Sequence, residues 1–286
     1  VIFAAVAHAG ESQSSSLEML NIIELLKHYV HTPFVGFLEH VQTEFFSALA
    51  AAALGLLFYF ASKNAKLIPG KLQAACELVV EGLNQFVCGI LGPSGRRHTP
   101  FLGTLFLYIW FMNLMGLVPL LKSPTSSSLV LTMGPVVIPI PTVTLSLAIL
   151  VFLYVQVFAI RENGIVGYLD HMAGSPRDIF GWILLPLMFV IHLIGELAKP
   201  VSLAFRLYGN IWGEDVLLAV FIGLGIGMTA FCHFPSGVPI HFPFMLLALV
   251  TGTIQAFVFM LLSTVYIAMM SPHGEEAHAH GAHGEN

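Results

Sequence analysis

"IFGWILLPLMFVIHLIGELAKPVSLAFRLYGNIWGEDVLLAVFIGLGIGMTAFC", residues 179–232, is apolar almost throughout and contains no polar turn. An upright helix crosses a bilayer in about 20 residues, so this run is too long for one such helix. Two layouts fit it: a single strongly tilted and kinked helix, or two helices that meet inside the membrane. Pro186 and Pro200 are the expected kinks, because each removes a backbone donor. The same run carries His192, Glu196, Lys199, Arg206, Asn210, Glu214 and Asp215. A charge at bilayer depth costs roughly 2.5–3.5 kcal/mol on insertion scales, so ionisable groups there are candidates for function and face protein or water rather than acyl chains.

Composition agrees with a membrane setting. The 286 residues are 57% hydrophobic and 9% charged, against about 25% charged in a soluble globular chain. So few charges cannot cover a water-facing surface, and the expected class is an all-α polytopic membrane protein. The formal net charge of −5 is modest and no basic patch suggests nucleic acid. Cys76, Cys88 and Cys232 form no CxxC pair, and their odd number argues against a disulfide framework.

Working outward, the chain reads as follows. Residues 1–44 are expected to be extramembrane, with Ala7-His8-Ala9 fitting the end of a signal peptide although a basic n-region is missing. Phe45–Ser62 is the first span. Lys71–Leu91 carries Glu77, Glu81 and Gln85 at i, i+4, i+8, one polar stripe on an apolar helix, so it is expected to lie along the interface. "GPSGRRHTP" reads as a basic loop before the second span, Phe101–Leu121. An irregular connection rich in proline follows, then a third span, Thr142–Ile160, stopped by Arg161. Residues 161–178 are polar, 233–243 form a turn, and Phe244–Met270 is the last span. The tail 271–286 is polar, with His273, His278, His280 and His283, and is expected to be disordered. The expectation is thus five crossings and one surface helix, in a transmembrane domain over 45–270. Counting Lys and Arg in the loops puts seven on one side and two on the other if residues 1–44 lie outside and 179–232 counts as one crossing; two full crossings there would move the tail outside, and nothing between the pieces looks like a loop. The C-terminus is then inside.

Helical geometry sorts the polar groups. His192 and Glu196 are neighbours at i, i+4. Arg206, Asn210 and Glu214 also step by four and drift only ~40° per step, while Asp215 falls ~180° from Arg206. Carboxylates therefore sit at two depths around one arginine, partly on different faces, as an ion path made of two separate half-routes requires. The last span adds Thr251, Thr253, Gln255 and Ser263, and Gln255 is placed to hydrogen-bond to the arginine helix. Asn113 in the second span reads chiefly as a helix-packing amide.

These residues closely resemble subunit a of the F-type ATP synthase, the stator subunit of the membrane (Fo) sector. "KPVSLAFRLYGNIWGEDV" (199–216), "TIQAFVFMLLSTVYIAMM" (253–270) and "NLMGLVPLLKSPT" (113–125) are similar to three elements of that family, in order, over roughly residues 40–270. The resemblance implies a non-catalytic, ion-translocating subunit with no cofactor and no metal. Its implied partners are a ring of c subunits, the peripheral stalk subunit b, other ATP synthase subunits and the lipid bilayer. It further implies a tilted helical hairpin, residues 179–270, lying against the c-ring. Two offset half-channels reach mid-membrane from opposite sides, and an arginine between them faces the ring. By the match, Arg206 takes that role. Asn210, Glu214, Asp215 and Gln255 fall on the outer half-channel, and His192, Glu196, Lys199 and Ser202 toward the opposite one. Asp215 holds the commoner spacing from the arginine and Glu214 is an extra acid. Ala248 and Leu247 are apolar where some relatives are titratable, so His192 or the second acid is left to supply that group. A bacterial inner membrane is the expected location, an organellar energy-transducing membrane the alternative.

Two rivals predict other things. A secondary transporter or channel with an intramembrane arginine site predicts internal repeats, and the basic and acidic residues instead crowd into one segment. A metal-handling protein would use the histidine-rich tail, but those histidines are set among glycine and alanine.

Overall fold

The computed structural model describes residues 41–63, 69–118, 123–133, 136–172, 179–232 and 242–270. The signal-peptide reading, nearly all of the N-terminal segment, and the histidine-rich tail lie outside the described residues. Six α-helices run through the described chain: α1 (Gln42–Lys63), α2 (Lys71–Leu91), α3 (Gly95–Leu117), α4 (Thr142–Met172), α5 (Ile179–Cys232) and α6 (Phe242–Met270). Five stretches are long and apolar enough to cross a membrane: α1, 71–117 taken together, 142–168, 185–221 and α6. The polytopic all-α class and the number of crossings agree with the expectation.

Each helix has local causes. In α1, Glu44 stands in the first turn and Lys63 in the last, each complementing the helix dipole at its end. The Lys63 ammonium also lies 5.7 Å from the Tyr59 ring centroid, a polar end for an otherwise apolar span. In α3 the helix starts at Gly95 rather than Phe101, so Arg96, Arg97 and His98 are helical and not a loop. The 3₁₀ turn Gly92–Ser94 directly before it leaves little connection to α2. A Cβ on Gly95 would lie 2.9 Å from the Cys88 Cα, so only glycine permits that close turn.

Three further departures have physical reasons. The described residues of the proline-rich connection after α3 form regular elements. It contains a 3₁₀ turn, Pro124–Ser126, and an antiparallel hairpin of β1 (Ser128–Met133) and β2 (Val136–Pro141). The sequence reads this connection as irregular, but Pro139 and Pro141 are compatible with β2, because a two-stranded ribbon has a free edge on each strand, where a missing N–H is tolerated. Second, α4 passes Arg161 and continues to Met172. It breaks at Gly164, whose φ of 70° and ψ of 168° are essentially reserved to glycine. Third, α5 is one helix of 54 residues with both Pro186 and Pro200 inside it, which selects the single-helix layout over two helices.

The described residues divide into two compact units. One comprises residues up to 76, 105–144 and 206–257; the other 77–104, 145–205 and 258 onward. In the first, Phe46, Ile109, Met112, Leu207 and Ile211 are buried. Thr43 and Ser127 share a hydroxyl hydrogen bond of 2.9 Å, and the Thr142 N–H donates to the Ser127 carbonyl, so Ser127 ties the base of the hairpin to the starts of α1 and α4. In the second unit Leu102, Val151, Val155, Leu203 and Phe259 are buried. His98 is buried against the Phe158 ring edge and pairs through Nδ1 with the Tyr154 hydroxyl at 2.9 Å. Arg97 meets Glu162 at 3.1 Å, both exposed, a pair worth no more than about 1 kcal/mol.

The Gly164 backbone gives a test. Gly164→Ala is expected to destabilise the chain by roughly 1–3 kcal/mol, read as a lowered Tm in detergent. Gly55→Ala, helical and with nothing near its added Cβ, is expected to leave Tm unchanged or slightly raised.

Candidate functional site

Arg206, Asn210 and Glu214 succeed one another at one-turn intervals on α5, and their surroundings differ. Arg206 is exposed, and among the described residues nothing accepts a hydrogen bond from it or pairs with its charge. Gly209 and Gly213, on the following turns, are also exposed, with open space where a Cβ would stand. The two turns after the guanidinium thus carry glycine close to its side of the helix. Further along α5, Trp212 is 54% exposed, so this part of the helix leaves large apolar surface for lipid or another chain to cover.

One turn beyond the arginine the helix is tied to α6. The Asn210 side-chain Nδ2 donates to the Gln255 Oε1 at 2.7 Å, the bond from Gln255 to the arginine helix that its position suggested. Gln255 is 4% exposed and its Nε2 has no partner among the described residues, leaving a buried donor free. The next turn brings Glu214, whose Oε1 accepts from the Thr251 hydroxyl of α6. Thr251 Oγ1 also lies 3.0 Å from the Leu247 carbonyl and 3.2 Å from that of Ala248. At the level of the apolar Ala248, this chain therefore sets a threonine against a carboxylate. Asp215 is half-buried beside Glu214.

The register of α6 in this unit is fixed from α3. Trp110 Nε1 donates to Thr253 Oγ1 at 3.0 Å, and Asn113 Nδ2 to the Gly252 carbonyl at 3.1 Å. A Cβ on Gly252 would come within 3.4 Å of the Asn113 Cβ, so glycine lets α3 and α6 approach. Asn113 Oδ1 in turn accepts from Thr125 at 3.4 Å. Asn113 is thus the packing amide expected, and it holds Thr251 and Gln255 in place through the helix that carries them.

A separate polar cluster lies in the other unit. Glu196 is 8% exposed, and the Lys199 ammonium donates to its Oε1. The Gln156 amide of α4 donates to its Oε2 at 3.3 Å. The Lys199 Nζ also sits 5.3 Å from the Tyr266 ring centroid on α6, a cation–π contact. His192 is exposed and its Nδ1 lies 3.0 Å from the Met188 carbonyl, one turn back on its own helix. The structure gives Glu196 to Lys199 and Gln156, and sets one His192 ring nitrogen against its own helix backbone. Ser202 is exposed. Ser263 returns its hydroxyl to the Phe259 carbonyl at 2.8 Å, so its polarity is consumed within the helix. Gln156, Thr251's tie to Glu214, and Tyr266 were not found from sequence. Gln156 had a signal, as the lone amide in the apolar third span, while the other two depend on which helices meet.

Residues 44–268 match the family model for the ATP synthase A chain. The chain is 41% identical over 259 residues, 90% of each protein, to the ATP synthase subunit a of Protochlamydia amoebophila. It is 36% identical over 243 residues to an ATP synthase subunit a of Syntrophotalea carbinolica, covering 85% of this chain and 88% of the relative. With that of Helicobacter pylori it shares 35% over 227 residues, covering 79% of this chain and 88% of the relative.

The Asn210–Gln255 bond is measurable by itself. A double-mutant cycle of Asn210→Ala and Gln255→Ala, read by unfolding of the full chain in detergent, is expected to give a coupling of about 0.6 kcal/mol and no more than about 1.7. Additive single effects would mean that the two amides do not meet.

Proposed function

The chain belongs to the ATP synthase A chain family, and from that premise we propose that it is the ion-translocating stator subunit a of a rotary ATP synthase, with Arg206 facing a ring of c subunits between two half-channels. The supporting observation is Arg206 itself. It is exposed, unpaired among the described residues, and followed by two exposed glycines with room for a close neighbour. A guanidinium left open on an apolar helix calls for a partner that brings an anion to it.

The chemistry proceeds from there. A neighbouring cation favours the ionised form of a carboxylate. A ring carboxylate that reaches Arg206 releases its proton toward one half-channel, passes the arginine as an anion, and takes a proton from the other half-channel on the far side. A proton cannot cross directly between the half-channels past a fixed positive charge. Arginine serves better than lysine because it keeps its charge under partial desolvation and presents a planar fork to a carboxylate. Asn210, Gln255, Glu214 and Asp215 line the outer route. The contact with Thr251 holds the Glu214 carboxylate in one orientation, and the free Nε2 of Gln255 offers a donor to whatever occupies that route. Glu196, Lys199, His192 and Ser202 belong to the opposite route. The subunit makes no ATP itself; the assembly's other subunits do, and subunit b holds it against rotation in a bacterial inner membrane.

Arg206→Ala is expected to abolish ATP-driven proton pumping by inverted vesicles while the complex still assembles, and Arg206→Lys to impair it severely. Retained pumping in Arg206→Ala refutes the role. The outer route has its own test. Replacing Glu214 and Asp215 together by Gln and Asn is expected to slow passive proton flux through the membrane sector more than either single change. Equal flux in all the variants removes both acids from the path.

A further inference from the structure

We propose that Gln156 is a positioning residue of the inner ion route: it fixes the free oxygen of Glu196 with its amide nitrogen and holds the adjoining water with its amide oxygen. This rests on the reading of Glu196 as part of that route. Glu196 is held at both carboxylate oxygens, Oε1 by the Lys199 ammonium and Oε2 by the Gln156 Nε2 at 3.3 Å. Removing Gln156 would leave one oxygen of a buried carboxylate without a donor, which costs more than the bond itself contributes. The Gln156 Oε1 is buried and has no partner among the described residues. A buried acceptor without a donor is rare and calls for an occupant. A water that donates to this oxygen lies within one step of Glu196 Oε2, where a hydronium can pass its proton to the carboxylate, leaving water and a neutral acid.

The surroundings suit an ion route more than a purely structural bridge. Among the described residues, the charged and titratable groups around Glu196 are Lys199 and, one turn back, His192 on its own helix, Tyr168 on α4, which also meets the Gln156 amide, and Tyr266 on α6 across the Lys199 ammonium. No second carboxylate appears among them. Gln156 lies five residues before Arg161, and Tyr266 four before the end of α6 at Met270. Both helices run toward the side that the Lys and Arg distribution assigns to the interior. There α4, just before its break at Gly164, is joined to the end of α6, since the Asn163 Nδ2 donates to the Met270 carbonyl at 3.0 Å.

The test uses the assembled complex in vesicles, with passive proton flux as the readout and ATP hydrolysis as the control for assembly. Gln156→Met keeps the volume and removes both polar atoms. It is expected to lower flux roughly tenfold, the worth of one hydrogen bond to a charged group. Gln156→Glu keeps an acceptor, and donates only while protonated. It is expected to conduct at acid pH and to fail as pH rises and the two carboxylates repel. Unchanged flux in Gln156→Met, or equal impairment of both variants at every pH, overturns the proposal. Glu196→Gln in the same assay separates the two ideas: normal flux there would overturn the inner-route reading itself, whatever Gln156 does. Should Gln156→Met not assemble, Gln156→Cys in a background with Cys76, Cys88 and Cys232 replaced by serine decides the matter. Inhibition of flux by silver ion supports a water-facing side chain, and no inhibition overturns it.

Discussion

A charge among apolar helices must be neutralised, hydrated or met by a partner, and this chain treats its intramembrane charges unequally. Glu196 has an ammonium and an amide. Glu214 has a hydroxyl. Lys199 has a carboxylate on one side and an aromatic face on another. Arg206 has nothing among the described residues. Much of the remaining polar structure in the unit that holds Arg206 serves to keep the neighbouring groups in place. Asn113 and Trp110 fix α6, and α6 presents Gln255 and Thr251 to the arginine helix. An arginine left unpaired on a helix whose neighbouring polar groups are fixed suits the proposed role of meeting a group that comes and goes.

The bilayer also accounts for the irregular features of the fold. Backbone groups cannot be left open in hydrocarbon, so the spanning parts are helices, and departures from helix fall where sequence supplies a special residue. Gly164 takes a conformation that other residues avoid. Gly95 allows the α3 start to fold back on α2. The hairpin β1–β2 stands between two spans and is anchored at Ser127.

The five crossings were legible because a spanning helix is an extended compositional signal that needs no knowledge of neighbours. The unbroken course of α5 was half legible. Absence of a loop signal left two layouts, and only the backbone through Pro186 and Pro200 chose between them. The hairpin was obscured by its prolines, which argue against a central strand but not against an edge. The break at Gly164 had a local sign in the preceding Asn163, since Asn-Gly marks turns, but it was hidden in a stretch read only as polar. Within the candidate site, Arg206, Asn210, Glu214, Glu196 and Gln255 stood out because a polar residue in an apolar run is conspicuous. Their pairing was not. Gln156 and Glu196 stand 40 residues apart, and Thr251 and Glu214 37. Such contacts are decided by which helices meet, and that information is not local.

That Arg206 has no partner among the described residues follows from the same arrangement. The nearest acids before and after it on α5 are Glu196 and Glu214, each already held by other groups. A carboxylate fixed permanently against Arg206 would form a partly buried ion pair, and any incoming anion would then have to compete with it. The proposed mechanism needs the opposite condition, in which the cation is strongest when a mobile carboxylate arrives and is left free when it departs. Setting the chain's own acids on other partners, at other turns of the helix, secures that condition.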